Sequence, residues 1–241
     1  MESLHFGIKS GKPGSANDHL AYINRQGCYA ARNDLVATGH GNMPTFAEDE
    51  PMLLWRASDE HERKNGSTFR AYTISLPNVL TVDQLKVLAW DEVRLLAGQK
   101  PFQFAFHMPR SSLQGELSPH VHIVICDRVP DGIERTAEAM FRRYNPTDPQ
   151  KGGCRKDSGG RTPQDLRSRL IAQRKAAADE INTALAKYGH ALRVDHRPLR
   201  ERSVDRKPER YLGPATIRKM TKQERAAYIE ERRRKRSRGR L

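Results

Sequence analysis

Three stretches of the chain place apolar residues at every second position, the spacing of strands whose side chains alternate between two faces, and a fourth strand is expected at 69–76. Leu4, Phe6 and Ile8 share a face in residues 3–9, and residues 69–76, FRAYTISL, end at Pro77. In 102–107, FQFAFH, the three phenylalanines take one face and leave Gln103, Ala105 and His107 on the other. In 120–126, HVHIVIC, Val121, Ile123 and Ile125 oppose His120 and His122. Helices are predicted between these strands. One spans about 17–26 and stops at Gly27. Another starts at the capping box T-V-D-Q from Thr81, carries Leu85, Leu88, Val93 and Leu96, and ends at Gly98. A long one begins at Thr162–Pro163, with Leu166, Leu170, Ala177, Ile181 and Leu185 on one stripe and Gly189 as its stop. A last capping box, Thr221 to Glu224, opens a C-terminal helix. Residues 30–66 read as irregular and turn-rich, with an acidic patch at 48–50 and no periodic pattern. The fold class expected is α+β: an antiparallel sheet with helices packed on at least one face, followed by a basic helical tail.

Charge adds a partner class to that outline. The 241 residues carry a net charge of +14, and residues 191–241 contribute +11 of it through 18 Lys/Arg against 7 Asp/Glu. A cationic surface of this kind suits a polyanion, because phosphate contacts release condensed counterions. The final ERRRKRSRGRL is a like-charge block expected to fray without a partner. No apolar run approaches the roughly 20 residues that span a bilayer. The N-terminus has no long apolar segment of a signal peptide. The chain is therefore expected to be soluble and cytoplasmic, with no membrane insertion. Cys28, Cys126 and Cys154 are scattered and odd in number, the pattern of reduced thiols rather than of a disulfide framework or a structural zinc site.

The candidate chemistry sits on two of the predicted strands. His120 and His122 project from one face, and a hairpin with residues 102–107 brings His107 opposite His120. A single histidine is ordinarily a hydrogen-bonded structural residue, whereas three imidazoles on one face form facial nitrogen ligation with open positions for a divalent Lewis acid. For the nucleophile, HLAYINRQGCYA offers Tyr22 and Tyr29, and periodicity does not rank them.

Resemblance ranks them. HLAYINRQGCYA, GHGNMPTF, FHMPRSSLQGELSPHVHIVICDRVPDGIER, MFRRYNPTDPQKGG, ALRVDHRPLRER and YLGP resemble, in order, segments of the MobA/MobL relaxases of mobilisable plasmids, members of the HUH endonuclease superfamily. The similarity runs from the N-terminus to about Pro214. It implies a nicking domain over 1–215 with 216–241 as a basic helical tail, Tyr22 as nucleophile, and His107, His120 and His122 as ligands of a divalent ion, Mn2+ or Mg2+ with Zn2+ as the alternative. A tyrosine that precedes the histidine motif is the relaxase order, while replication initiators of rolling-circle type generally place it after. One departure stands out: where some members carry carboxylates, FRAYTISLP has Ala71 and Thr73, which leaves the general base unassigned.

The implied activity is cleavage of one DNA strand at an origin of transfer, by metal-dependent transesterification through a 5′-phosphotyrosine able to religate. The implied partners are single-stranded origin DNA, accessory mobilisation proteins and a coupling protein or secretion channel. Arg25, Arg128, Arg135, Lys151, Arg155 and Arg234 are candidate DNA contacts. The first three lie close in sequence to the catalytic motifs. Lys151 and Arg155 belong to a glycine-rich loop whose amides are suited to phosphate, and Arg234 lies in the tail. Trp55 and Tyr72 are read as core aromatics. The alternatives are a replication initiator, a metal-dependent phosphodiesterase that uses water, and a basic DNA-binding module with structural histidines.

Overall fold

The computed structural model describes residues 2–111, 113, 115–202, 212 and 214–238. Five strands form an antiparallel sheet in the order β2 (Phe6–Ser10), β4 (Arg70–Ser75), β6 (His120–Ile125), β5 (Phe102–His107), β3 (Leu35–Gly41). Two short strands, β1 (Glu2–Ser3) and β7 (Val194–Asp195), pair in parallel beside it. Helices cover both faces. On one side lie α3 (Val82–Ala97) and α5 (Pro163–Lys187), and on the other α1 (Ala16–Ile23), α2 (Met52–His61) and α4 (Ala137–Phe141). Two C-terminal helices follow, α6 (Pro214–Lys219) and α7 (Lys222–Arg238). No helix among the described residues is long and apolar enough to cross a membrane.

Strand alternation decides which core each side chain enters. Phe102, Phe104 and Phe106 of β5 join Val121, Ile123 and Ile125 of β6 beneath α3 and α5, with Leu85, Leu88, Val93, Ile181 and Leu185. Each fully buried phenylalanine contributes about 1.5–3 kcal/mol of transfer free energy. Across the sheet, Ala71, Ala105 and Val124 meet Leu20, Ile23, Leu54, Trp55 and Phe141. The helix caps form as the sequence indicates: Thr81 with Gln84, Thr162 with Asp165, and Thr221 with Glu224 exchange reciprocal bonds. Gly98 and Gly189 turn left-handed at the ends of α3 and α5, with φ of 55° and 76°.

Four expectations need correction. The opening strand is broken at Leu4–His5, so β1 leaves for β7 while β2 enters the main sheet, and Ile8 is exposed. Helix α1 ends at Ile23, well short of Gly27, because Arg25 itself turns left-handed (φ 55°). That strained backbone is held by the Arg25 guanidinium, which donates to the carbonyl of Tyr22 and the carboxylate of Asp34. Residues 30–66 are not irregular, since β3 and α2 lie within them. Gly39 and Gly41 obscure the strand in the sequence, yet they are required: a Cβ at either would stand 2.6 or 2.7 Å from the rings of Phe104 and Phe102. The basic block is helical as far as Arg238, with Glu230 one turn before Arg234 as an ion pair; residues 239–241 lie outside the described residues.

Glu92 is the one fully buried carboxyl on α3, and neither of its oxygens has a hydrogen-bond partner. Burial pushes its pKa up to about 9, with Glu180 and Asp91 adding repulsion. An acid whose folded pKa is raised costs stability as pH climbs from its unfolded value toward the folded one, here about 4.5 to 9. Replacing it by Glu92→Met, similar in volume and not ionisable, is expected to stabilise the protein. The gain at pH 8 should exceed that at pH 5 by roughly 2–4 kcal/mol in urea unfolding. Equal gains at both pH values would refute the assignment.

Candidate metal and tyrosine centre

Antiparallel register builds the site from β5 and β6. His107 pairs directly with His120, and His122 sits opposite Ala105 on one side and Thr73 of β4 on the other. The ring centroids of the three histidines lie 5.4, 5.0 and 5.0 Å apart. One nitrogen from each falls within 4.8 Å of the others. Nitrogens bound to one ion at about 2.1 Å are at most about 4.2 Å apart, so the rings must rotate to close the cluster, and His107 must exchange its contact with the Ile23 carbonyl or with Arg25 for the ion.

Each imidazole is oriented by a neighbour. Nδ1 of His120 lies 2.9 Å from the Ser118 carbonyl, and Nδ1 of His122 lies 3.1 Å from Oγ1 of Thr73. Both leave Nε2 available as a ligand atom. Buried His107 places Nε2 at 2.7 Å from the carbonyl of Ile23, and its Nδ1 lone pair faces Nη2 of Arg25 at 3.0 Å. Burial holds all three rings neutral. It lowers His107 to about 4 and His122 to about 2, the latter helped by the other two histidines, and it lowers His120 as well. Neutral, convergent imidazoles fit a divalent transition ion. Among the described residues no carboxylate joins this group of potential ligands.

Helix α1 delivers the phenol. Its first amides, Ala16 and Asn17, donate to the carboxylate of Asp59 on α2 at 2.9 and 3.2 Å, a cap that the Ser15 side chain does not provide. Leu20 and Ile23 anchor it in the core between α1 and the sheet. Tyr22 is thereby left with its ring 6.4 Å from that of His122. Tyr29, on a short 3-10 turn, packs edge-on against Tyr22 at 5.2 Å. Arg25 lies 4.9 Å from the Tyr22 ring centroid, and Arg32 reaches both rings at 5.4 and 6.0 Å.

The other arginines divide sharply. Arg25 is inside the site, gripped by Asp34 through two 2.7 Å bonds that raise its pKa further. Arg128 and Arg135, expected near phosphates, are instead structural. Arg128 is 2% exposed and spends its donors on Glu62 and the carbonyls of Phe141, Arg142 and Cys154. Arg135 is consumed by Asp131, Gly152 and Pro149. The glycine-rich loop is likewise packed rather than pliant at its start: a Cβ at Gly152 or Gly153 would meet backbone of Asn145 or Arg142 at 2.5 or 2.3 Å. Lys151 and Arg155 are exposed, as is Arg234 on α7, with Lys151 paired to Asp148 and Arg234 to Glu230. Trp55 and Tyr72 are core residues, Trp55 donating to Gln103.

Several residues escaped the sequence reading. Asp34 fixes Arg25, Thr73 orients His122, and Arg32 covers the two phenols. His19, one turn before Tyr22, stacks flat on Phe69 at 4.9 Å with Nε2 buried and unpartnered. Burial, then the charge of Lys9, lowers it to about 4. Only the i, i+3 spacing of His19 and Tyr22 hints at this in the sequence.

The model of the MobA/MobL family matches residues 16–223. The chain is 37% identical over 209 residues to the 43 kDa relaxation protein of Salmonella typhimurium, covering 86% of this chain and 56% of that protein. It is 37% identical over 223 residues to Mobilization protein A of Escherichia coli, covering 90% of this chain and 30% of that one. The chain thus spans about half, or less, of the curated relatives it matches. A solved structure described as "Molecular Basis of Vancomycin Resistance Transfer in Staphylococcus aureus" has a TM-score of 0.58 at 19% identity, covering 81% of this chain and 99% of that one. That likeness concerns the fold alone.

Proposed function

Because this chain belongs to the MobA/MobL family, we propose that it is a DNA relaxase that nicks one strand at a plasmid origin of transfer and holds the new 5′ end through Tyr22. The observation that carries this reading is the convergence of three neutral imidazoles beside a phenol, with the Tyr22 and His122 rings 6.4 Å apart. The relatives' names as relaxation and mobilization proteins support it. In the cell, accessory mobilisation proteins and a coupling protein or secretion channel complete the proposed pathway for the cut strand.

The Tyr22 oxygen attacks the scissile phosphorus; a P–O bond to tyrosine forms as the P–O3′ bond breaks, the phenol gives its proton to solvent and the departing 3′ oxygen takes one up to leave as a hydroxyl. His107, His120 and His122 would hold the divalent ion, Mn2+ or Mg2+, which would supply Lewis-acid charge to the phosphate. Arg25, locked by Asp34, keeps a fixed positive charge beside the Tyr22 ring, which favours the deprotonated phenol that attacks. Tyr29 and Arg32 restrict the Tyr22 ring from its outer side. One phosphodiester replaces another, so the step runs in both directions and permits religation.

The direct test incubates the protein with single-stranded origin-of-transfer DNA and Mn2+ or Mg2+. A protein–DNA band that survives denaturation and disappears with chelator is expected. Free 5′-phosphate ends without an adduct would instead establish hydrolysis by water, and undiminished binding with no cleavage would leave a DNA-binding module.

A further inference from the structure

Two guanidinium groups stand over the Tyr22 ring, and they differ in what they have left to give. Arg25 lies 4.9 Å from the ring centroid and is buried. Its N–H donors go to both oxygens of Asp34, to the Tyr22 carbonyl and toward Nδ1 of His107. The Asp34 carboxylate also matches its charge, so Arg25 has neither the exposure nor the donors to take hold of an incoming phosphate. Arg32 lies 5.4 Å from the same ring and 6.0 Å from that of Tyr29, and it is exposed. Among the described residues its side chain meets those two rings and has no hydrogen bond or ion pair. The carboxylate nearest to it in sequence is Asp34, and Arg25 occupies both of that group's oxygens. The Arg25–Asp34 pair thereby leaves Arg32 with its charge unmatched.

The place of Arg32 is as specific as its freedom. Its amide donates to the Tyr29 carbonyl at 3.1 Å, and Tyr29 packs edge-on against Tyr22 at 5.2 Å, so the two phenols form the seat on which the guanidinium rests. A cation held by aromatic rings spends no N–H on an oxygen acceptor. The planar fork therefore remains able to match two oxygens of one phosphate. Attack brings a phosphate to that position, because the scissile phosphorus must stand about 3–3.5 Å from the Tyr22 oxygen before reaction. Charge-assisted N–H···O bonds then span about 2.7–2.9 Å, a gap that rotation of a long side chain already over the ring can close. We propose that Arg32 is a further catalytic residue of this centre, the cation that grips the scissile phosphate during attack and stays on the phosphotyrosine afterwards. Arg25 then acts on the phenol and Arg32 on the phosphate. A phosphodiester carries the same charge before and after the exchange, so one grip serves cleavage and rejoining alike. The assignment deepens the relaxase reading and rests on it for the scissile bond, while phosphate binding by Arg32 can be measured apart from cleavage.

The deciding experiment neutralises the substrate as well as the protein. The nick is mapped with the unsubstituted chain on single-stranded origin-of-transfer DNA and Mn2+, and that linkage is then replaced by an uncharged methylphosphonate. On ordinary DNA, Arg32→Ala and Arg32→Leu are each expected to slow adduct formation about a hundred- to a thousandfold, with Arg32→Lys in between. On the methylphosphonate DNA, Arg32→Ala and the unsubstituted protein should react within about threefold of each other, because no charge is left to hold. A methylphosphonate at the neighbouring linkage should restore nothing. A role in packing alone gives the opposite pattern: leucine keeps the bulk over the rings and retains activity, and the neutral linkage fails to rescue alanine. Either result overturns the assignment, as does rescue from the neighbouring linkage only. Arg32 is exposed, and unchanged circular dichroism confirms folding. Binding is read separately in the Tyr22→Phe chain by anisotropy of fluorescein-labelled origin DNA. There, adding Arg32→Ala should lower the slope of log affinity against log salt by about 0.7, and an unchanged slope counts against the contact. Where the neutral linkage reacts with neither protein, that slope decides for or against Arg32. If the unsubstituted protein gives no adduct even on ordinary DNA, the nicking reading falls, and the slope still decides whether Arg32 holds phosphate.

Discussion

Tyr22→Phe is expected to eliminate the denaturation-resistant protein–DNA adduct, a fall of roughly a thousandfold or more in cleavage rate, because no other atom supplies the new P–O bond. The substitution removes one oxygen and keeps the ring, so packing against Tyr29 at 5.2 Å and beneath Arg25 at 4.9 Å persists. Folding should be unaffected, and any loss is chemical. Tyr29→Phe is the matched control: its ring meets Tyr22 and Arg32 rather than the histidines, so an adduct should still form within a few-fold of the normal rate. Quantified gel bands with end-labelled origin DNA give both values. Retention of the adduct in Tyr22→Phe and its loss in Tyr29→Phe would reverse the assignment of the nucleophile.

His122→Ala should bring the second large loss, about a hundred- to a thousandfold in metal-stimulated cleavage together with the loss of tight Mn2+ binding in calorimetry. His122 suits this test better than His107. Removing the latter would also free the Ile23 carbonyl and the Arg25 guanidinium, which mixes a folding defect with a ligand defect. The proton competition has a definite sign. Burial lowers the histidines, so they remain neutral in the folded chain well below the ordinary imidazole value of 6.5; His107 protonates only at about 4. Mn2+ affinity should therefore hold nearly level from pH 8 through 6.5 and fall only at more acid pH. By the same linkage, groups with depressed folded pKa values contribute stability above 6.5 that drains away as pH falls toward 4 in metal-free protein. An affinity that titrates away with a midpoint near 6.5 would show that the rings are solvated and unconstrained.

Much of this centre is legible in the sequence. The alternating phenylalanines of β5 and aliphatics of β6 put His107, His120 and His122 on one face in any register that buries both sets, and a hairpin brings the end of β5 beside the start of β6, where His107 pairs with His120. Capping boxes marked α3 and α7, and the Thr162–Pro163 start marked α5, because these signals are local. The missed elements failed for the same reason in reverse. Glycines in β3 look like turn residues until the rings of Phe102, Phe104 and Trp90 are laid across them, and α2 is recognised as a helix by what Leu54 and Trp55 meet across the sheet.

Local pattern, then, was sufficient for the strand faces, the histidine trio and the excess of positive charge, since side-chain alternation and capping act over a few residues. Tertiary structure alone decided which cations are available. Arg25, Arg128 and Arg135 look alike in sequence, but Asp34 ties the first beside a phenol while buried carbonyls and carboxylates absorb the other two. It also decided that α7 lies along a groove next to His120. Exposure and partnership are set by segments tens of residues apart, and no periodicity within one segment encodes them.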